Sequence, residues 1–97
     1  MLRSEAARKI QVQGIVQGVG FRPFVYQLAK RCHLKGSVAN TGNGVQIHVE
    51  GQPTQLETFV RAISNESPPL SKITHIDVQD APFAHCPSFD IVHSRAA

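Results

Sequence analysis

The sequence has few of the features that mark a secreted, membrane-spanning or disulfide-bonded protein. Its 97 residues include no tryptophan, one tyrosine and only two cysteines, which form no CxxC pair. Its apolar runs are far shorter than the roughly 20 residues of a membrane span. The N-terminal MLRSEAARK also lacks the apolar stretch of a secretory signal. We therefore expect a reduced, cytoplasmic protein with no membrane partner.

Charge is also modest, with a net value of +3 and 18% charged residues in loose groups. A nucleic-acid surface requires a denser basic stripe with interleaved aromatic side chains. The mild positive charge instead favours small anions, and we expect no nucleic-acid partner.

The five histidines show none of the sequence spacings typical of metal ligands. His48 alternates with apolar neighbours, which predicts that it faces solvent from a strand. We therefore predict no metal site in this chain.

The most informative segment is GIVQGVGFRPF, which begins at Gly14. Gly14, Gly18 and Gly20 allow a sharp turn in which several N–H groups point the same way, because no Cβ obstructs positive φ. A helical pattern begins directly afterwards, and a helix N-terminus adds further N–H donors. Arg22 contributes a planar, permanently charged group suited to phosphate oxygens. The local chemistry predicts a phosphate-binding loop.

Hydrophobic periodicity predicts two helices and five strands. Alternating apolar residues mark strands near 10–14, 37–41, 45–49, 76–78 and 89–91, and apolar stripes at helical spacing follow Pro23 and Pro53. The Asn-Gly cluster after Thr41 predicts a hairpin between the second and third strands. The order βαββαβ plus a terminal strand is typical of the ferredoxin-like α+β sandwich, with two helices on one face of an antiparallel sheet. We expect one domain over residues 1–97, with 8–93 as its folded core.

This topology predicts that Asn40 lies near the glycine loop. The first and second strands end at the same edge of the sheet, roughly 10 Å apart, with the third strand between them. Backbone N–H groups, Arg22 and the Asn40 amide would then converge on a volume suited to one phosphate group. An Asn before a glycine-containing turn also commonly forms an Asx-turn, and strict alternation places Asn40 on the face of Val38. Both interpretations of Asn40 stay open at this point.

Two long motifs resemble the acylphosphatase signature: Gly14–Arg22 and Gly36–Thr41. The resemblance extends from about Lys9 to His93. The continuation FRPFVY, together with GNGV in the hairpin, is similar to the N-terminal acylphosphatase-like domain of the carbamoyltransferases of NiFe-hydrogenase maturation.

The resemblance implies hydrolysis of a carboxyl phosphate, with Arg22 and Asn40 as catalytic residues and Asn40 orienting the attacking water. The residues to which it assigns phosphate binding, besides Arg22, are Ile15, Val16, Gln17, Gly18, Val19 and Gly20. The implied ligand is an acyl phosphate or inorganic phosphate. In the carbamoyltransferases it is carbamoyl phosphate, whose hydrolysis supplies carbamate for carbamoyl transfer.

The same resemblance implies that this domain is one of several in a larger protein and that the domains have different functions. This domain needs no cofactor of its own, whereas zinc and ATP belong to downstream domains. We accordingly expect a monomeric N-terminal fragment that works with those domains and with a hydrogenase maturation partner protein.

The chemistry of the motif agrees with this expectation, because a carboxylate leaves as a stable anion near neutral pH, its acid having a pKa of about 4. No general acid is needed, and the motif contains no carboxylate, histidine or cysteine. Two related alternatives are a stand-alone acylphosphatase and a catalytically weak module that only binds phosphate or carbamoyl phosphate. RNA-binding domains share the topology but need aromatic residues on the central strands, where this chain has Gln and His.

Overall fold

The computed structural model describes residues 5–42 and 44–92. Its elements are β1 (Ala6–Ile15), α1 (Phe21–Arg31), β2 (Lys35–Thr41), β3 (Gly44–Gly51), α2 (Pro53–Asn65), β4 (Lys72–Asp80) and β5 (Phe89–Val92). This order confirms the prediction of a ferredoxin-like α+β sandwich with a fifth, terminal strand.

The strands form one sheet in the order β4-β1-β3-β2-β5. As predicted, β3 lies between β1 and β2 and is antiparallel to both. Strands β1 to β4 form the predicted antiparallel sheet, and β5, whose direction was not predicted, pairs with β2 in the parallel direction. The long crossover from β4 brings β5 to the outer edge of β2, so β5 lies beside the predicted site.

The two helices bury one face of the sheet. Alternation along the central strands turns Ile10, Val12, Val45, Ile47 and Val49 toward the helices, where they are completely buried. The helices contribute apolar side chains at helical spacing: Val25, Leu28 and Ala29 from α1, and Leu56, Phe59 and Ile63 from α2. Each large aliphatic or aromatic side chain buried here contributes roughly 1.5–3 kcal/mol to stability. The packed layer fixes where each strand ends.

The opposite side of the sheet, called the open face below, presents polar side chains such as Gln11, Gln46 and His48 from the central strands. The loop 81–88 between β4 and β5 reaches this side of the sheet at the far end of β3, where it contacts Glu50. Among the described residues, neither helix has the length and apolar character needed to cross a membrane.

Candidate active site

The glycine loop joins the end of β1 to the start of α1. Gly18 (φ +75°) and Gly20 (φ +81°) adopt left-handed conformations that L-residues with a side chain rarely take up. Gly20 is also the N-cap of α1, and the first turn of that helix carries no acidic residue. Within the described part of the chain, the N–H groups of residues 18–20 donate to no protein acceptor. These donors and the positive end of the helix dipole are therefore available to an anion.

Buried side chains hold both ends of this loop. Val16 and Phe21 are each 1% exposed, and the Phe21 ring lies 5.5 Å from that of Phe24. Ile15, by contrast, exposes 57% of its surface at the end of β1. The loop is thus anchored by the residues that flank the glycines, while its polar backbone stays at the surface.

The side chain of Gln17 ties the loop to the β2–β3 hairpin. Its Nε2 donates to the carbonyl of Thr41 at 2.6 Å and to that of Gly44 at 2.7 Å. Sequence reasoning included Gln17 among the phosphate-binding residues without foreseeing this contact. The sequence feature that could have indicated this contact is a lone glutamine in a glycine-rich loop, because its side-chain amide can donate to two carbonyls at once.

Arg22 lies in the first turn of α1 and is half-buried. Its Nη1 is 3.5 Å from the carbonyl oxygen of Val92, a long and therefore weak contact. Val92 is the partner of Ala39 in the parallel ladder between β5 and β2. The guanidinium therefore reaches β5 opposite the residue of β2 that precedes Asn40, and among residues 5–42 and 44–92 most of its five donors have no other acceptor.

Asn40 lies within β2, opposite Val45 of β3. Its Oδ1 is buried and has no hydrogen-bond partner among residues 5–42 and 44–92. The Asx-turn interpretation is wrong, because in such a turn this oxygen would accept a backbone N–H. A buried carbonyl oxygen without a donor costs roughly 1–3 kcal/mol. A bound water or ligand that donates a hydrogen bond to Asn40 Oδ1 would remove this cost.

Two cavities that share Gly42 as a lining residue lie beside these parts. One, of about 320 Å³, is lined by Asn40, Thr41, Gly42 and Val92 together with open-face residues. The other, of about 230 Å³, is lined by the end of β1, the start of the loop, Gly42 and Gly44. Neither cavity is lined by Arg22 or by residues 18–20, so each adjoins one side of the predicted site and neither spans it.

Residues 8–91 match the acylphosphatase family model. The crystal structure of an acylphosphatase from Bacillus subtilis superposes with a TM-score of 0.82 at 41% identity, covering 91% of this chain and 98% of that one. The chain belongs to the acylphosphatase family.

Within that family the chain is similar to a particular group, the HypF carbamoyltransferases. It is 50% identical over 72 residues, 74% of its length, to the probable carbamoyltransferase HypF of Methanocaldococcus jannaschii, of which it spans 9%. A crystal structure of full-length HypF in the phosphate- and nucleotide-bound form has a TM-score of 0.93 at 42% identity, covering 97% of this chain and 12% of that one. These likenesses confirm the predicted resemblance, and the chain spans about a tenth of the length of these relatives.

Proposed function

We propose that this chain hydrolyses the carboxyl-phosphate bond of an acyl phosphate. Arg22 and the N–H groups of loop 15–20 bind the phosphoryl group, and Asn40 orients the attacking water. Membership of the acylphosphatase family supports the reaction class. Likeness to the HypF carbamoyltransferases supports carbamoyl phosphate as the substrate. Further domains and a hydrogenase maturation partner protein would then use the carbamate product for carbamoyl transfer.

The observation that carries the proposal is the buried Asn40 Oδ1, to which no group in residues 5–42 and 44–92 donates a hydrogen bond. A water molecule that donates one O–H to this oxygen keeps a lone pair free for phosphorus. The water oxygen forms the new P–O bond as the carboxylate departs with the electron pair of the old one. Both protons of the water end on the phosphate product, which leaves as dihydrogen phosphate.

The positive charge at the site suits the transition state of this reaction. Phosphoryl transfer spreads negative charge over three equatorial oxygens, so catalysis depends mostly on positioning and electrostatic stabilisation. Arg22 offers a planar array of donors, and the loop offers N–H groups beside a helix N-terminus. The carboxylate leaving group needs no proton, which suits a site built without an acid.

The test is the rate of acyl phosphate hydrolysis by an Asn40→Ala variant. We expect kcat on benzoyl phosphate and carbamoyl phosphate to fall roughly 100-fold or more, as when one transition-state hydrogen bond is removed, with little change in KM. Asn65→Ala, at the exposed end of α2, is the matched control and should retain full activity.

Two results would contradict the proposal. Unchanged turnover by Asn40→Ala would remove Asn40 from the mechanism. Saturable phosphate binding by the unmodified chain, with no turnover of either substrate, would make the chain a binding module rather than a hydrolase.

A further inference from the structure

Three side chains that commonly bind metals lie together at the far end of β3, away from the glycine loop. The ligand atoms of His48, Glu50 and Cys86 are all within 4.8 Å of one another. His48 and Glu50 are two residues apart on the same face of β3, and Cys86 comes from the loop 81–88. We propose that these three residues bind one borderline-soft divalent cation of the Zn²⁺ class.

The distances suit a tetrahedral ion after small side-chain rotations. Zinc bonds of about 2.0–2.3 Å place neighbouring ligand atoms roughly 3.5 Å apart. The His48 Nε2–Glu50 Oε2 separation of 2.8 Å has to widen by about 0.5 Å, and separations of up to 4.8 Å have to close by about 1 Å. Rotations about side-chain bonds produce movements of this size.

The backbone around the cluster is held in place by the carboxylate itself. Glu50 is 2% exposed, and its Oε1 accepts the N–H of Cys86 at 2.9 Å while its Oε2 accepts that of Ala84. These bonds fix the loop against β3 and bring the Cys86 thiol beside the strand. His48 Nε2 lies 2.8 Å from Glu50 Oε2. Oε1 keeps a lone-pair direction for an additional partner, whereas Oε2 already has two partners and would bind a cation in place of its contact with His48.

The donor set selects the kind of ion. One thiolate, one imidazole and one carboxylate suit Zn²⁺ and similar transition-metal ions, whereas Mg²⁺ and Ca²⁺ prefer oxygen ligands alone. Three protein ligands also leave a fourth tetrahedral position for water or a small ligand, as in zinc sites that are not purely structural.

Space for that fourth ligand exists on two sides. His48 lines the cavity of about 320 Å³ that also contacts Asn40. Glu50 and Cys86 line a separate cavity of about 310 Å³, together with His33, His85 and other residues. The cation would therefore lie between two solvent-accessible spaces.

Sequence spacing could not reveal this cluster, which is why no metal site was predicted. The separation between Glu50 and Cys86 matches no ligand motif. Only the fold of the loop 81–88 onto the open face joins them.

The test is a Co²⁺ titration of the reduced chain after treatment with EDTA. We expect one equivalent of Co²⁺ to produce the visible absorption of a tetrahedral site and a thiolate-to-cobalt charge-transfer band. Zn²⁺ should displace the cobalt, and Mg²⁺ should not. Cys86→Ser should abolish the charge-transfer band and weaken Zn²⁺ binding by at least roughly tenfold, since the loss of a hydrogen-bond partner of a ligand alone weakens binding that much.

Matched variants show whether metal binding depends on the residues of the cluster rather than on other thiols and histidines. Cys32→Ala removes the thiol buried in the core and should keep the band. His48→Gln should weaken Zn²⁺ binding to a similar degree as Cys86→Ser, whereas His75→Gln on the exposed strand β4 should not.

The absence of cobalt absorption, or a band that survives Cys86→Ser, would overturn the proposal. Because His48→Gln and Cys86→Ser both retain the backbone bonds to Glu50, circular dichroism identifies any loss of fold separately. Neither residue belongs to the proposed acyl phosphate mechanism, so hydrolysis by Cys86→Ser should be unchanged.

Discussion

The two ends of β3 are each joined to a distant loop by one polar side chain, but the two connections use opposite chemistry. At the start of the strand, the exposed, neutral amide of Gln17 donates to the carbonyls of Thr41 and Gly44. At the far end, the buried carboxylate of Glu50 accepts two backbone N–H groups of the loop 81–88. The first connection leaves a glycine loop open to ligands, whereas the second closes a loop over the sheet.

The two connections differ in how much free energy the polar side chain loses when its loop opens and its hydrogen bonds break. The Gln17 amide is already at the surface, so water replaces its partners at little cost. Burial alone would raise the pKa of the Glu50 carboxyl, but hydrogen bonds from His48 and from the N–H groups of Cys86 and Ala84 lower it to about 2. The Glu50 charge is therefore stabilised by the closed loop, and the loop by the charge.

The largest expected effect comes from removing the buried carboxylate. Glu50→Ala leaves two loop N–H groups without an acceptor and a void beside His48. We expect the free energy of unfolding to fall by about 3 kcal/mol, measured by urea denaturation in EDTA. Hydrogen exchange should show faster exchange at Ala84 and Cys86.

Glu57→Ala, an exposed position on α2, is the control and should change stability by less than about 0.5 kcal/mol. A Glu50→Ala chain as stable as this control would mean that the carboxylate does not hold the loop.

Acid should weaken the same connection in a defined pH window. The pKa of Glu50 is lower in the folded chain than its ordinary value of 4.5. Its stabilising contribution is therefore complete above about pH 4.5 and is lost as pH falls toward 2. A shift of this size corresponds to on the order of 3 kcal/mol. The stability difference between the unmodified chain and Glu50→Gln, both in EDTA, should shrink steadily across this window, and a constant difference would contradict the assignment.

The smallest effect is expected at the other end of β3. Gln17→Ala removes two hydrogen bonds at the surface, so unfolding free energy should fall by only about 1 kcal/mol. The KM for benzoyl phosphate should rise several-fold because the loop is less well positioned. Gln27→Ala, exposed on α1, should alter neither quantity. If Gln17→Ala destabilised the chain as much as Glu50→Ala does, the two connections would contribute equally to stability, contrary to what we expect.

Sequence patterns predicted the first end of β3 much better than the second. Three glycines, an arginine and a helix start are adjacent in the chain, so local chemistry identifies the loop. The topology then predicted that Asn40 lies at the end of the second strand, at the same sheet edge as the loop, and the structure places Asn40 in β2 next to the β2–β5 ladder that Arg22 contacts. Those residue roles stay predictions.

The second end depends on contacts that no periodicity encodes. Alternation predicted that His48 faces solvent, and it lies on the open face, but its side chain is only 26% exposed and contacts the buried Glu50. The loop 81–88 is irregular and contains two prolines, so its path over the open face follows from long-range packing. The parallel pairing of β5 was not predicted either, because it also depends on the path of the loop 81–88.

NMR titration of backbone amides with inorganic phosphate, in the unmodified chain and in Arg22→Ala, shows whether Arg22 and the glycine loop bind phosphate together. Arg31→Ala is the matched control, since Arg31 lies on the same helix and pairs with Glu66 at the surface. We predict saturable shifts at residues 18–20 in the unmodified chain and in Arg31→Ala, and an affinity at least roughly tenfold weaker in Arg22→Ala. Equal affinities in Arg22→Ala and Arg31→Ala, or shifts that spare the glycine loop, would contradict the account.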